Sequence, residues 1–327
     1  MRLHAILKLL FAAACGAIAI QGAHAATITP LDIARPEGKR HYLLGTPDNI
    51  APGKRPLVIL LHGHGGWADQ VLGQKDIVSP LSVWLRIADR EQVLVAAPDG
   101  AKGDDGKQGW NDCRSDAFTN PRTDDVGLIN AIIDRAIAEH DADPARIYAM
   151  GMSNGGIMAF RLALEIAPRL AGIATIGAAM AAKSACPPAR QPVSALIVSG
   201  TKDPIVPYGG GDIHFALLRS RGTVIGVEES AALWRQLAQL PAAPAQTEFE
   251  HRAASGATRA LRLLWGGDPS RLQVELLKIE EGGHLEPSIS KRLGWAYTVL
   301  LGAQNADVEV AEEAWRFFKD KRAGLLP

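Results

Sequence analysis

Ser153 stands in the pentapeptide Gly151-Met152-Ser153-Asn154-Gly155, between the strand-like run Arg146-Ile147-Tyr148-Ala149-Met150 and a helix-like run starting at Ile157. A Gly-x-Ser-x-Gly turn from strand to helix forces its serine into a sharp corner, with the hydroxyl clear of the backbone. Both glycines are needed there, because a β-carbon at either position would strike the neighbouring strand or helix. The helix that follows aims its first N–H groups at the spot where negative charge develops during acyl transfer. Ser153 is therefore a candidate nucleophile. Glycine and serine are also common in loops, so the motif gains weight only from what the rest of the chain supplies.

A serine hydroxyl is a weak nucleophile; it needs a base, and the base needs an orienting carboxylate. Downstream, Leu196-Ile197-Val198-Ser199-Gly200 reads as a buried strand running into Thr201-Lys202-Asp203-Pro204, which puts Asp203 at a strand end. An ordinary turn aspartate is the competing reading, since Asp-Pro is a frequent turn signal, and Asp212 is the nearest rival acid. His284 follows the apolar run 274–279, and Gly282 and Gly283 free its loop to turn the imidazole back toward the serine. The other downstream histidines, His214 and His251, follow no convincing strand.

The apolar run 56–61 leads into His62-Gly63-His64-Gly65-Gly66. Small residues there let a backbone N–H approach a substrate carbonyl. The expected oxyanion donors are the N–H groups of His64 and Asn154, with Gly63 or Gly65 able to share the first role. His62 and His64 could instead bind a metal together with Asp124 or Asp125, but the spacing matches no familiar metal pattern. The sequence thus calls for no metal and no other cofactor, and for a His62 that holds its loop by hydrogen bonds. Asp124 and Asp125 read as a helix cap and a loop acceptor. Trp110 is a candidate for lining the acyl pocket, with core packing as the alternative.

These residues need a frame. Apolar runs at 56–61, 93–97, 147–151, 172–176, 194–199 and 273–279 alternate with amphipathic stretches at 81–90, 126–140, 154–167, 228–237 and 308–319. That alternation signals an α/β fold: a mostly parallel central sheet with helices on both faces, in a single domain. Residues 209–226 and 241–271 fit the alternation poorly and are expected to be excursions above the sheet's carboxyl edge.

The chain has 327 residues, 47% of them apolar, and Lys+Arg equals Asp+Glu at 35 each. Nothing in that balance suggests a nucleic-acid partner or an anionic membrane surface. Arg2 and Lys8 precede an apolar run at 9–20 and Ala23-His24-Ala25, the layout of a secretory signal peptide cut after Ala25. The run is shorter than the roughly 20 residues of a membrane-spanning helix, so residues 26–327 are expected to form an exported catalytic domain with no stable membrane association. A lipid anchor at Cys15 is the alternative, although Ala12-Ala13-Ala14 lacks the usual bulky aliphatic residue. After cleavage only Cys113 and Cys186 remain. One disulfide is expected in an oxidising compartment, with two buried thiols as the competing picture.

His62-Gly63-His64-Gly65-Gly66, Trp110-Asn111-Asp112, Asp124-Asp125-Val126-Gly127, the serine pentapeptide, Gly200-Thr201-Lys202-Asp203-Pro204 and Gly282-Gly283-His284 occur in one order. In that order the chain resembles the secreted polyhydroxybutyrate depolymerase and feruloyl esterase family of α/β-hydrolases, over roughly residues 40–319. The resemblance implies the α/β-hydrolase fold, a Ser153–Asp203–His284 triad, and an oxyanion hole from Asn154 and His64. The chain also departs from the family. Leu285-Glu286-Pro287 stands where a tryptophan–proline pair is common, and Gln239-Leu240-Pro241 where a cysteine is. No segment is left over for a separate polymer-binding domain, so weak attack on solid polyester is expected. The resulting reading is a secreted or periplasmic serine ester hydrolase acting on short hydroxyalkanoate or feruloyl-type esters. A peptidase on the same fold and a catalytically silent binding protein are the alternatives.

Overall fold

The computed structural model describes residues 26–214 and 220–324. The proposed signal peptide, residues 1–25, lies outside the described residues, as does Cys15. No described helix is long and apolar enough to cross a membrane.

Ten strands form one sheet. In chain order they are β1 (Thr27–Arg35), β2 (Gly38–Thr46), β3 (Arg55–Leu61), β4 (Leu94–Pro98), β5 (Ala142–Met152), β6 (Gly172–Ile176), β7 (Ser194–Gly200), β8 (Ala245–Glu248), β9 (Arg259–Trp265) and β10 (Val274–Glu280). Their spatial order is β1-β2-β4-β3-β5-β6-β7-β10-β9-β8. The six strands from β4 to β10 across the middle run parallel, and antiparallel pairs close both edges. This is the α/β-hydrolase frame that the apolar alternation predicts.

Side chains along a strand alternate between faces, and the sheet uses both. Leu57, Ile59 and Leu61 of β3 pack with Ile129, Ile132, Phe160 and Trp234. These come from α2 (Asp125–Glu139), α3 (Asn154–Glu165) and α4 (Val227–Leu237). Val58 and Leu60 face the other way, onto Trp84 and Ile87 of α1 (Trp84–Glu91) and Trp315 and Phe318 of α6 (Val310–Phe318). A strand buried on both faces reads as a near-continuous apolar run; every residue of β3 and β7 is buried, and Arg55, Ser194 and Ser199 are the polar ones among them. Among the described helices of seven or more residues, the remaining one, α5 (Trp295–Leu301), buries none of its residues.

One expectation needs correcting. Residues 241–271 are not simply an excursion, because β8 and β9 lie within them and extend the sheet antiparallel to β10. All of β8 is exposed. An edge strand with little to bury needs no apolar alternation, so its sequence reads as loop.

Candidate active site

Ser153 leaves β5 with φ 55° and ψ −122°, a conformation of order 1–3 kcal/mol above ordinary backbone that the surroundings must enforce. Its N–H donates to the Ile176 carbonyl at 2.8 Å, and its carbonyl accepts from Ile157 N–H at 2.9 Å, which starts α3. A β-carbon on Gly151 would sit 2.2 Å from the Gly155 carbonyl oxygen, and one on Gly155 would sit 2.3 Å from the Leu61 oxygen. Both glycines are thus fixed by close approach of backbones, one to the helix start and one to the end of β3.

His284 and Asp203 meet across two loops at the carboxyl ends of adjacent parallel strands, β10 and β7. His284 Nδ1 lies 2.7 Å from Asp203 Oδ2, and both side chains are buried. Asp203 Oδ1 accepts the N–H groups of Ile205 and Val206, each at 2.8 Å, which locks the carboxylate in place. Nδ1 facing a carboxylate carries the proton, which leaves Nε2 as the basic nitrogen. The loops are stitched together, since Lys202 N–H donates to the Gly282 carbonyl at 2.9 Å. A β-carbon on Gly200 would lie 2.2 Å from that same oxygen. The imidazole rests on Gly177, where a β-carbon would come within 3.0 Å of Nδ1. Gly177 directly follows Ile176, the residue that holds the Ser153 amide, so base and nucleophile converge on one short stretch of backbone.

The loop after β3 passes over the nucleophile: a β-carbon on Gly63 would lie 3.5 Å from Ser153 Cβ. Gly65 N–H is taken by the Gln108 carbonyl at 2.7 Å and Gly66 N–H by the Gly63 carbonyl at 3.0 Å. The Gly65 N–H, one of the donors expected to be able to share the oxyanion role, is therefore already spent on backbone.

The sequence profile of the phospholipase/carboxylesterase family matches residues 50–223. The chain belongs to that family. A protein from Nocardia uniformis subsp. tsuyamanensis named "Putative esterase NocK" is 27% identical over 80% of this chain and 75% of its own length. Feruloyl esterase C from Emericella nidulans is 29% identical over 53% of this chain, an alignment that spans 58% of the relative. Acetyl xylan esterase from Aspergillus awamori shares the fold, with a TM-score of 0.51 at 13% identity, covering 76% of this chain and 92% of its own. The protein is thus an esterase-type member of the α/β-hydrolase superfamily.

Further residues support the site in this phospholipase/carboxylesterase member. His62 Nε2 accepts from Gly100 N–H at 2.8 Å and Nδ1 lies 2.7 Å from the Gly63 carbonyl. The proton therefore sits on Nδ1, and both nitrogens hold backbone, in keeping with the loop-holding role. Burial pushes the His62 pKa down to about 4. His64 Nε2 lies 2.8 Å from Asp105 Oδ2; burial and the Arg221 cation lower its pKa against that carboxylate.

The Asn154 amide clamps Trp110, accepting from its N–H at 2.7 Å and donating to its carbonyl at 3.1 Å. Trp110 is fully buried and donates its indole N–H to the His62 carbonyl at 2.8 Å, a position that fits packing better than pocket lining. Asn154 also donates to Asp112 Oδ2 at 2.6 Å; Arg114 donates to both oxygens of that carboxylate and Asn120 to Oδ1. Residue types and spacing gave Asp112 no separate role. Its signal was its place in Trp110-Asn111-Asp112, directly before Cys113.

Cys113 and Cys186 form a disulfide. Asp124 caps α2 through Gly127 N–H at 2.8 Å, and Asp125 accepts from Arg40, Asn111 and Thr123. The rivals lie elsewhere: Asp212 is exposed and bonded to Ser220, His214 is exposed, and His251 faces Asp307 at 3.3 Å. A cleft of about 220 Å³ runs along the outer side of α3, walled by Phe160, Met180, Pro188 and the disulfide. None of the three candidate triad residues lines it.

Proposed function

We propose that this esterase is an exported serine carboxylic-ester hydrolase in which Ser153, His284 and Asp203 form the triad and the Asn154 and His64 N–H groups hold the oxyanion. The observation that carries the reading is the buried contact of His284 Nδ1 with Asp203 Oδ2, on a ring packed against the turn that holds Ser153. His284 Nε2 takes the Ser153 proton as Oγ adds to the ester carbonyl carbon, whose π electrons move to oxygen. Collapse expels the alkoxide, which receives that proton from His284 and leaves as the alcohol. A water then gives a proton to His284 and adds to the acyl carbonyl. The second collapse returns the proton to Ser153 and frees the acid.

The leader-like N-terminus and the Cys113–Cys186 bridge support export to an oxidising compartment. The feruloyl esterase relative favours feruloyl-type acyl groups, and the order of motifs favours short hydroxyalkanoate esters equally. Rates on p-nitrophenyl butyrate, methyl ferulate and soluble 3-hydroxybutyrate oligomers, with Ser153→Ala as control, test the proposal. We expect serine-dependent turnover, lowered by about 10³-fold or more in Ser153→Ala, and the ranking of kcat/KM chooses the acyl class. Wild-type rates in the folded variant would sink the nucleophile assignment.

A further inference from the structure

Past β4 the chain makes a short hairpin, in which Ala101 pairs with Gly109 and Lys102 with Gln108. Gly103 N–H closes its tip on the Lys107 carbonyl at 2.9 Å. Residues 100–110 grip the loop 62–66 along its length. Gly100 N–H donates to His62 Nε2 at 2.8 Å, Trp110 Nε1 to the His62 carbonyl at 2.8 Å, and Gly65 N–H to the Gln108 carbonyl at 2.7 Å. A further contact joins side chains: His64 Nε2 lies 2.8 Å from Asp105 Oδ2 at the hairpin tip. A carboxylate only accepts, so Nε2 carries the proton. Asp105 Oδ1 in turn accepts Lys107 N–H at 3.1 Å, which fixes the carboxylate against its own turn.

The rear of the same segment holds the Asn154 amide, which accepts from Trp110 N–H at 2.7 Å and donates to the Trp110 carbonyl at 3.1 Å. The two attachments meet at Gly109, where a β-carbon would lie 3.0 Å from Asn154 Oδ1 and 3.3 Å from His64 Nδ1. One backbone position therefore stands against both residues whose N–H groups are proposed to hold the oxyanion. The two grips differ in kind. Asn154 is held by buried backbone, whereas His64 is held through a ring 8% exposed and a carboxylate 24% exposed. His64 also carries the single side chain in the stretch from Gly63 to Gly66. Glycines leave a backbone free to turn, so the ring is the side-chain anchor of that stretch.

We propose, resting on the serine-esterase reading and its oxyanion assignment, that Asp105 is a positioning residue which holds the His64 imidazole and so aims the His64 N–H at the oxyanion. The alignment matters most once the carbonyl oxygen takes up charge, so its loss lowers kcat and leaves KM nearly unchanged. A contact this close to the surface contributes little to stability. The effect on rate therefore exceeds the effect on folding.

The test measures kcat and KM on p-nitrophenyl butyrate, per active site titrated with a fluorophosphonate. It compares wild type with Asp105→Ala, Asp105→Asn, His64→Ala and the Asp105→Ala, His64→Ala double variant. We expect Asp105→Ala to lower kcat about ten-fold with KM within about twofold, less than the about 10²–10³-fold of losing an oxyanion donor outright. Asp105→Asn still accepts from Nε2–H and should stay within about threefold of wild type. Both residues act on one N–H, so the double variant should fall no further than the worse single variant. An alkyl trifluoromethyl ketone, whose adduct with Ser153 carries an oxyanion, should lose affinity by the factor that kcat falls. Should Asp105→Ala fail to fold, Asp105→Ser is read in its place. Wild-type kcat in Asp105→Ala, losses that multiply in the double variant, or an asparagine variant as impaired as the alanine one overturns the inference. Serine-dependent turnover would in those cases leave the esterase reading standing. Wild-type turnover no faster than that of Ser153→Ala overturns both.

Discussion

His62 is the residue where burial and function are most directly coupled. Both ring nitrogens serve backbone groups, and burial depresses its pKa from 6.5 to about 4. The unfolded chain therefore binds a proton between those pH values that the folded chain does not, so stability rises with pH across the window. The contribution is complete above pH 6.5 and is lost as pH falls toward 4, up to about 3 kcal/mol in all. Melting temperatures between pH 7.5 and 4.5 should fall more steeply for wild type than for His62→Gln, which still offers an acceptor to Gly100. Parallel slopes would show that His62 is not the group responsible. The role of His62 was legible in the sequence because two glycines and a strand end surround it. The support of Asn154 by Asp112 was not, since the two meet from positions 42 residues apart.

The elements most legible in the sequence are those buried on both faces. Runs at 56–61, 172–176 and 194–199 are apolar but for Thr175, Ser194 and Ser199, and each lies in a strand of the parallel centre. The outermost strands β1 and β8 escaped because half or more of their side chains face solvent, so no apolar period marks them. The proposed oxyanion donors show the same limit on a smaller scale. Glycines in a loop reveal that a backbone must come close, but which N–H is already spent depends on Gln108, from a distant turn. The contact of β3 with the start of α3 yields a prediction at this scale. Gly155→Ala places a methyl 2.3 Å from the Leu61 oxygen and 2.5 Å from that of His62. Neither is a flexible side chain, so strand and helix must separate. We expect a loss at the upper end of the about 1–3 kcal/mol of overpacking, with kcat falling further than stability because the same shift moves Ser153. Urea unfolding and steady-state rates on one preparation check it; wild-type values for both would mean that the turn is looser than these contacts indicate.

Across the whole molecule, the two cores on either side of the sheet hold the scaffold, while the site's loops depend on links between distant segments. The Cys113–Cys186 bridge is the covalent one, with a sequence separation of 73 residues. Closing a loop of that size removes enough unfolded-state entropy to stabilise the fold by about 4 kcal/mol on the chain-entropy estimate, with measured cases commonly at about 2–4 kcal/mol. The bridge also acts on the site. Cys113 follows Asp112, which holds the Asn154 amide at 2.6 Å, and Asn154 supplies the N–H next to Ser153. Cys186 belongs to the segment after β6, whose Gly177 supports the His284 ring. Cutting the bridge therefore loosens the proposed oxyanion side and the proposed base side together. A Cys113→Ala, Cys186→Ala double variant should unfold about 2–4 kcal/mol more easily. Its kcat should fall more than its KM rises, because the affected groups meet the transition state and not the resting ester. Loss of stability with an unchanged kcat would confine the disulfide to holding the fold.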